Sequence, residues 1–305
     1  MKTLTPLSFD RIELMSTFVR IVESKSLSSA AISLRTTQPT ISRRLKLLEN
    51  SLEVKLLQRT THQMSLTEEG RHFYFHAKEL LDRWMTIETE IKGTKVEPRG
   101  TFRIQVPHAL GQEQLIPIIH QYIKLYPKVK IEWILKDKMP DFLSENIDCS
   151  IHVGFIEDPS LVAIKIFEIP RIIVAAPKLA KNFKKISHPK DLSELPWLSF
   201  KTYYYEQIDF KNVKNSKDEY SLKIVPHFST DSLYALKKMT ILGHGVCVTS
   251  KWVVEEELQS GKLVQVCPNW EGARFPVYLT YPQSKHKPAK LTKFIELIKK
   301  VPGTL

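Results

Sequence analysis

The sequence predicts a multi-domain chain: a mainly α, winged helix-turn-helix at the N-terminus, one long linker helix, and a C-terminal α/β domain. Three observations carry this. Apolar residues recur at helical spacing through the first fifty positions, with a turn between two short helices. A helical apolar seam then runs from Phe73 to Ile91, and from Gly100 onward β-branched runs alternate with helical ones. The implied segments are 8–66, 67–93, a hinge at 94–99, and 100–305.

Leu14, Phe18, Ile21 and Val22 predict a first helix over about Arg11 to Ser24. "SLSSAAISL" reads as a second, short helix, capped by Ser26 or Ser28, with Ala30, Ala31 and Leu34 facing inward. Arg35 to Thr37 then turn the chain into "QPTISRRLKLLEN". Thr37 is a good N-cap there, and Pro39 is tolerated in the first turn, where its missing N–H has no helical partner anyway. Ile41, Leu45 and Leu48 bury one side. The other presents Gln38, Thr40, Ser42, Arg43 and Lys46, either a solvated face or, in a helix-turn-helix, the face laid into a major groove.

"VKLLQR" and "MSL" flank the polar tip "TTHQ", as two strands of a wing would. Arg59 and His62 are candidates for phosphate or minor-groove contact, although a polar hairpin tip accounts for His62 equally well. From Thr67 a long helix begins, with Glu68 and Glu69 suitably acidic near its N-terminus. Phe73, Ala77, Leu80, Trp84, Ile87 and Ile91 step along it at coiled-coil spacing. The linker-like "KGTKVEPRG" that follows favours dimerisation over packing on the chain's own body.

A formal charge of +12 with pI near 9.4 leans toward polyanions. Cys149, Cys247 and Cys267 lack C-x-x-C spacing, which argues against a disulfide framework and for a reducing compartment. Cys247 falls within an apolar strand-like run, where a structural role is the default over a redox switch. "MKTLTPLSFDRIELM" has no signal-peptide h-region and no apolar run reaches membrane-spanning length, so a cytoplasmic protein without membrane contact is expected. No nucleophile elbow, P-loop or zincin motif occurs, and neither enzymatic activity nor a cofactor is expected. His72 and His76 stand at i, i+4 without a third ligand nearby, and helix-surface histidines explain them.

In the C-terminal part "TFRIQVP", "VKIEWIL", "IDCSIHVGF", "RIIVAAP", "GVCVTS" and "PVYLTYP" read as strands. "EQLIPIIHQYIKLYP", "TDSLYALKKMTILGH" and "AKLTKFIELIKK" read as helices. Such alternation predicts a parallel-rich α/β domain. Lys285, Lys287, Lys290 and Lys293 form a candidate basic patch, or a solvated helix flank.

The run from "FVRIVESKSLSSAAISL" through "QPTISRRLKLLE", "LLQRTT" and "LTEEG" resembles the N-terminal module of LysR-type transcriptional regulators. Two departures stand out: where the family usually carries glycine, this chain has Lys25 and Ser26, and then Glu53. A left-handed helix end at Glu53 would carry modest strain. The resemblance implies that Gln38, Pro39, Thr40, Ser42, Arg43 and Lys46 face the groove, with Ser33 and Arg44 as phosphate holders. The chemistry agrees, since glutamine pairs bidentately with adenine, and arginine or lysine with guanine.

"YPKVKIEW", "IDCSIHVG", "IIVAAPKLA", "DLSELPWLSF" and "GKLVQVCPNW" are similar to the effector domain of the same regulators, itself like a periplasmic solute-binding protein with two lobes and a cleft. Ligands in such folds sit at strand C-termini facing the cleft. The implied contacts are Pro107, His108, Ala109, Leu110, Gly154, Phe155, Phe200, Thr202, Thr230, Asp231 and Thr249. Thr230 and Asp231 are expected to open a helix, so a plain N-cap also accounts for Asp231. His152 stands where many relatives have arginine, which could loosen a carboxylate preference or add pH sensitivity. The resemblance further implies an effector-controlled transcription regulator whose partners are double-stranded DNA, a small-molecule effector, RNA polymerase and itself. A tetramer built from dimers is part of that expectation, which composition does not separate from a dimer. A solute-binding or transport protein is the alternative suggested by the C-terminal part alone; the first ninety residues speak against it.

Overall fold

The computed structural model describes residues 10–59, 64–91, 97–181, 186–202, 204, 206–215, 217–284 and 287–300. Helices α1 (Arg11–Ser24), α2 (Leu27–Ser33) and α3 (Gln38–Leu52) precede a two-stranded antiparallel wing, β1 (Leu57–Arg59) and β2 (Met64–Leu66), and then the 24-residue α4 (Glu68–Ile91). Asp10 caps α1, Ser26 caps α2, and Thr37 caps α3 with its side chain accepting from the Thr40 amide. Leu14, Phe18, Ala30, Ile41, Leu45 and Leu48 close one core with Tyr74 and Ala77 of α4. Small Ala30 and Ala31 let α2 lie close against its neighbours. Lys25 (φ 51°) and Glu53 (φ 59°) both end helices in the left-handed region, so the two positions where relatives carry glycine do adopt glycine-like backbone here.

The wing is anchored from below. Glu49, only 8% exposed, accepts from the Leu56 and Leu57 amides at 2.9 and 3.3 Å. Thr67 donates to the Lys55 carbonyl and accepts from the Gly70 amide, tying the strand exit to the first turn of α4. A Cβ at Gly70 would lie 1.9 Å from the Leu56 carbonyl oxygen, so the glycine of "LTEEG" is there for close approach.

The C-terminal part runs β3 (Gly100–Val106), α5 (His108–Gln112), α6 (Ile116–Leu125), β4 (Val129–Leu135), β5 (Cys149–Val153), β6 (Leu161–Ala175), α7 (Pro177–Lys181), β7 (Trp197–Phe200), β8 (Gln207–Asn212), β9 (Glu219–Lys223), β10 (Pro226–Thr230), α8 (Leu233–Ile241), β11 (Cys247–Ser250), α9 (Glu255–Gln259), β12 (Val264–Gln265), β13 (Trp270–Pro282) and α10 (Ala289–Ile298). Two cores divide it into lobes. Phe102, Ile104, Tyr122, Val277 and Phe294 mark the first lobe; Ile173, Trp197, Phe210, Leu236 and Val248 mark the second.

The 15-residue β6 and 13-residue β13 pass through both lobes as an antiparallel pair, registering Pro282 with Leu161 at one end and Gly272 with Arg171 at the other. The parallel-rich expectation is therefore corrected. Parallel ladders join β3 to β4 and β5, and β7 to β10, with one further parallel bridge between Trp197 and Val246; every ladder made by β6 or β13 is antiparallel. The expected strand "RIIVAAP" covers only the second-lobe half of β6, because the half-exposed residues before it do not read as an apolar run.

Because the Leu56 carbonyl cannot retreat without breaking the wing, Gly70→Ala is expected to destabilise the protein by about 1–3 kcal/mol, the cost of forced overpacking. Urea unfolding followed by circular dichroism measures it, and an unchanged midpoint would contradict this account of the glycine.

Candidate functional site

Helix α3 sorts its residues by face. Ile41, Leu45 and Leu48 are buried, while Gln38, Pro39, Arg43 and Lys46 are exposed and Thr40 and Ser42 half-buried. Pro39, Ser42, Arg43 and Lys46 stand at i, i+3, i+4 and i+7, one contiguous stripe. Thr40 exchanges a hydroxyl contact with Thr37 at 2.9 Å, which holds both at the helix entrance. Ser33 is exposed at the end of α2. Arg44, named as a phosphate holder, pairs here with Glu13 of α1 and so braces the two helices. Arg59 ends β1 opposite Met64, on the tip side of the wing, and His62 lies outside the described residues.

The apolar seam of α4 divides. Ala77 is 1% exposed and Phe73 packs beside it, both against the winged domain's own core, where the Phe18 and Phe73 ring centroids are 5.5 Å apart. Their assignment to a seam for a second chain is therefore corrected: the face that follows the heptad also follows α1. Farther along, Leu80 and Trp84 are 49% and 46% exposed and Ile87 is half-buried; of the Ile91 side chain nothing is described. The expected hinge at 94–99 falls partly on residues 92–96, outside the described residues. The His72 and His76 rings stack edge-on at 4.6 Å, and no group of three or more metal-binding side chains occurs among the described residues.

α4 also grips the first lobe through one buried carboxylate. Asp148, just before β5, receives Lys78 at 3.1 Å and Lys290 of α10 at 3.0 Å, and its second oxygen takes the Arg103 amide of β3 at 2.9 Å. Tyr74 donates to Asn146 at 2.5 Å, and Ser284 donates to Glu79 at 2.8 Å. Burial pushes the Asp148 carboxyl up, but Lys78 and Lys290 outweigh it and hold it at about 2. Lys290 is 7% exposed and also donates to the Thr101 carbonyl, so it does not belong to a surface basic patch. Lys285 lies outside the described residues.

Between the lobes opens a cavity of about 250 Å³. Pro107, His108, Ala109 and Leu110 line it from the first lobe, and Phe200, Asp231 and Thr249 from the second. Gly154, Phe155, Thr202 and Thr230 do not line it: Phe155 is 81% exposed beyond the end of β5, and Thr202 is exposed beyond β7. α8 opens at Ser232, which accepts from the Ala235 amide, so neither Thr230 nor Asp231 is its N-cap. The Thr230 hydroxyl instead accepts from Ser232 at 3.1 Å. His108 is fixed by Asp137, which accepts from its amide at 3.1 Å and faces its Nδ1 at 3.2 Å. Across the cleft, Tyr234 of α8 donates to Glu113 of the first lobe at 2.7 Å. His152 does not line the cavity, and burial lowers its pKa.

Sequence reading missed Arg171, Tyr204 and Trp252, which also line the cavity. Arg171 sits on β6 where it changes lobes, opposite Gly272 of β13 and Ser250 of β11. Its Nε donates to the Ala273 carbonyl at 2.7 Å and its guanidinium lies 3.8 Å from the Phe275 ring centre. A lone arginine opening the apolar run "RIIVAAP" was the available signal.

A winged helix-turn-helix joined through a long helix to a two-lobed cleft domain defines a ligand-responsive DNA-binding regulator. Residues 12–71 match the family described as bacterial regulatory helix-turn-helix protein, lysR family, and residues 95–302 match the LysR substrate binding domain. The chain belongs to the LysR family of transcriptional regulators. It is 28% identical to the HTH-type transcriptional activator TtdR of Escherichia coli, over 93% of this chain and 91% of that one. An HTH-type transcriptional repressor of Pseudomonas aeruginosa is 26% identical over 95% and 91% of the two chains. Among solved structures, the full-length Vibrio cholerae virulence activator AphB is 26% identical with a TM-score of 0.57, covering 95% of this chain and 98% of that one. Activators and a repressor thus share this layout.

Asp148→Asn is expected to cost about 3–5 kcal/mol, because it strands two buried ammonium groups. The Asp148 carboxyl lies below its ordinary 3.8 when folded, so its contribution is complete above that pH and is lost as pH falls toward about 2. Urea unfolding of both proteins at neutral pH and across the acid range checks magnitude and sign.

Proposed function

We propose that the exposed stripe of α3, Gln38, Pro39, Thr40, Ser42, Arg43 and Lys46, reads base edges in the major groove, with Ser33 and the wing, Arg59 and His62, on the phosphate backbone or minor groove. The observation that carries this reading is the stripe itself: amide, hydroxyl and cationic donors on the N-terminal turns of the second helix of a helix-turn-helix, opposite a fully buried Ile41, Leu45 and Leu48. The cleft takes a small-molecule effector against His108, Phe200 and Thr249, and its occupancy changes the closure of the lobes. Leu80, Trp84, Ile87 and Ile91 are the part of α4 offered to a second copy, since Phe73 and Ala77 are used internally. The protein works in the cytoplasm as a dimer or as a tetramer built from two dimers, and its bound form meets RNA polymerase. No helix among the described residues is long and apolar enough to cross a membrane.

The test is binding of the full chain to the DNA flanking its own gene against scrambled DNA, at two salt concentrations, with Arg43→Ala and Lys46→Ala. Each variant is expected to lose about 1–3 kcal/mol of discrimination while remaining folded. Equal binding to both DNAs by all three proteins would overturn the assignment of the α3 face.

A further inference from the structure

Arg171 is a buried cation with no carboxylate in contact among the described residues. It is 5% exposed and forms no ion pair among the described residues; its fixed contacts are the Ala273 carbonyl, the Phe275 ring at 3.8 Å and the Tyr204 ring at 5.6 Å. A charge withdrawn from water in this way is costly unless a counter-ion arrives. Burial draws its pKa down to about 10 against the weaker opposing pull of Tyr204 and the more distant Asp209, so it remains a cation at neutral pH.

The surrounding wall repeats the pattern. Three residues of the cavity wall each keep a buried polar atom without a hydrogen-bond partner just behind its surface: Arg171 Nη1, Thr249 Oγ1 and Trp252 Nε1. Two of these can only donate and the third can donate, so the set asks for an acceptor. The acids on the cavity wall do not supply it: Asp137 is engaged by His108, and Asp231 is an exposed residue. The remaining walls, among them Val153, Ile169, Phe200 and Val248, are apolar.

Resting on the reading of the cleft as the effector site, we infer that the effector is a small monocarboxylic acid whose carboxylate pairs with Arg171, assisted by Thr249 and Trp252, and whose apolar body fills the rest of the cavity. Arg171 lies where β6 passes from one lobe to the other, and the β6–β13 register shifts between Gly272 and Phe275 beside it. A ligand held there touches the strands about which the lobes turn.

The experiment uses the full-length protein with acetate, butyrate and benzoate against acetamide, butyramide and benzamide, at constant ionic strength, reading thermal midpoint and hydrogen exchange. At least one acid is expected to raise the midpoint saturably and to protect residues 247–250, with its amide binding at least about tenfold more weakly. Arg171→Gln should abolish the preference for acid over amide, and Arg171→Lys should retain part of it. The acid–amide comparison needs only wild-type protein, so a misfolded variant leaves it intact. Amides that bind the cleft as well as their acids would overturn the carboxylate inference and leave the cleft as the effector site. A saturable acid effect without protection of 247–250 would overturn both. No saturable response to any acid would overturn the inference, while the effector site itself is judged separately by whether cleft substitutions alter DNA binding.

Discussion

Asp148 sits where three parts of the chain meet. Lys78 reaches it from the linker helix, Lys290 from the last helix, and the Arg103 amide from the first strand of the α/β part. Each ion in this node pays a desolvation cost, and the cost is met only while all partners stay in place. Asp82 lies close enough to feel both lysines, while its own burial raises its pKa. Directional bonds between buried groups tolerate little displacement, so α4 is held to the first lobe in one orientation. The winged domain is packed on the first turns of the same helix through Tyr74 and Ala77, and so inherits that orientation.

This arrangement divides the chain's labour. The first lobe and the winged domain move as neighbours of α4, whereas the second lobe is joined to the first by β6 and β13 and by the Tyr234–Glu113 contact across the cleft. Long antiparallel strands can flex at a register shift without losing their ladders. On the proposed reading, a ligand in the cleft would act on the relative setting of the lobes, and the ion node would pass a change in the first lobe to the helix that carries the DNA-binding part. Differential affinity for two lobe settings is the only currency in which such a signal can be transmitted.

Local rules made much of this readable. The first three helices were legible because caps and apolar spacing agree: Thr37 caps where Pro39 follows, and Ile41, Leu45 and Leu48 do face inward. Pro107 to Leu110 were legible as cleft residues because they follow a clear strand. What escaped depended on distance along the chain. Asp148 and Lys290 are 142 residues apart, and Lys78 and Asp148 are 70 apart, with no periodicity to join them. The seam of α4 was misassigned at Phe73 and Ala77 because a heptad stripe looks the same whether its partner is a second chain or an earlier helix of its own. Arg171 was read as the edge of an apolar strand, since only the fold reveals that β6 continues behind it and buries the guanidinium between lobes.

A base-reading α3 stripe differs from one that merely attracts DNA by charge in which duplexes it retains. The most direct measurement is enrichment of duplexes from a random-sequence library by the full chain, under salt that suppresses backbone-only binding. An enriched motif is expected, with half-sites related by two-fold symmetry and spaced by about one helical turn or a multiple of it. Retained duplexes with no common sequence, released uniformly as salt rises, would contradict it.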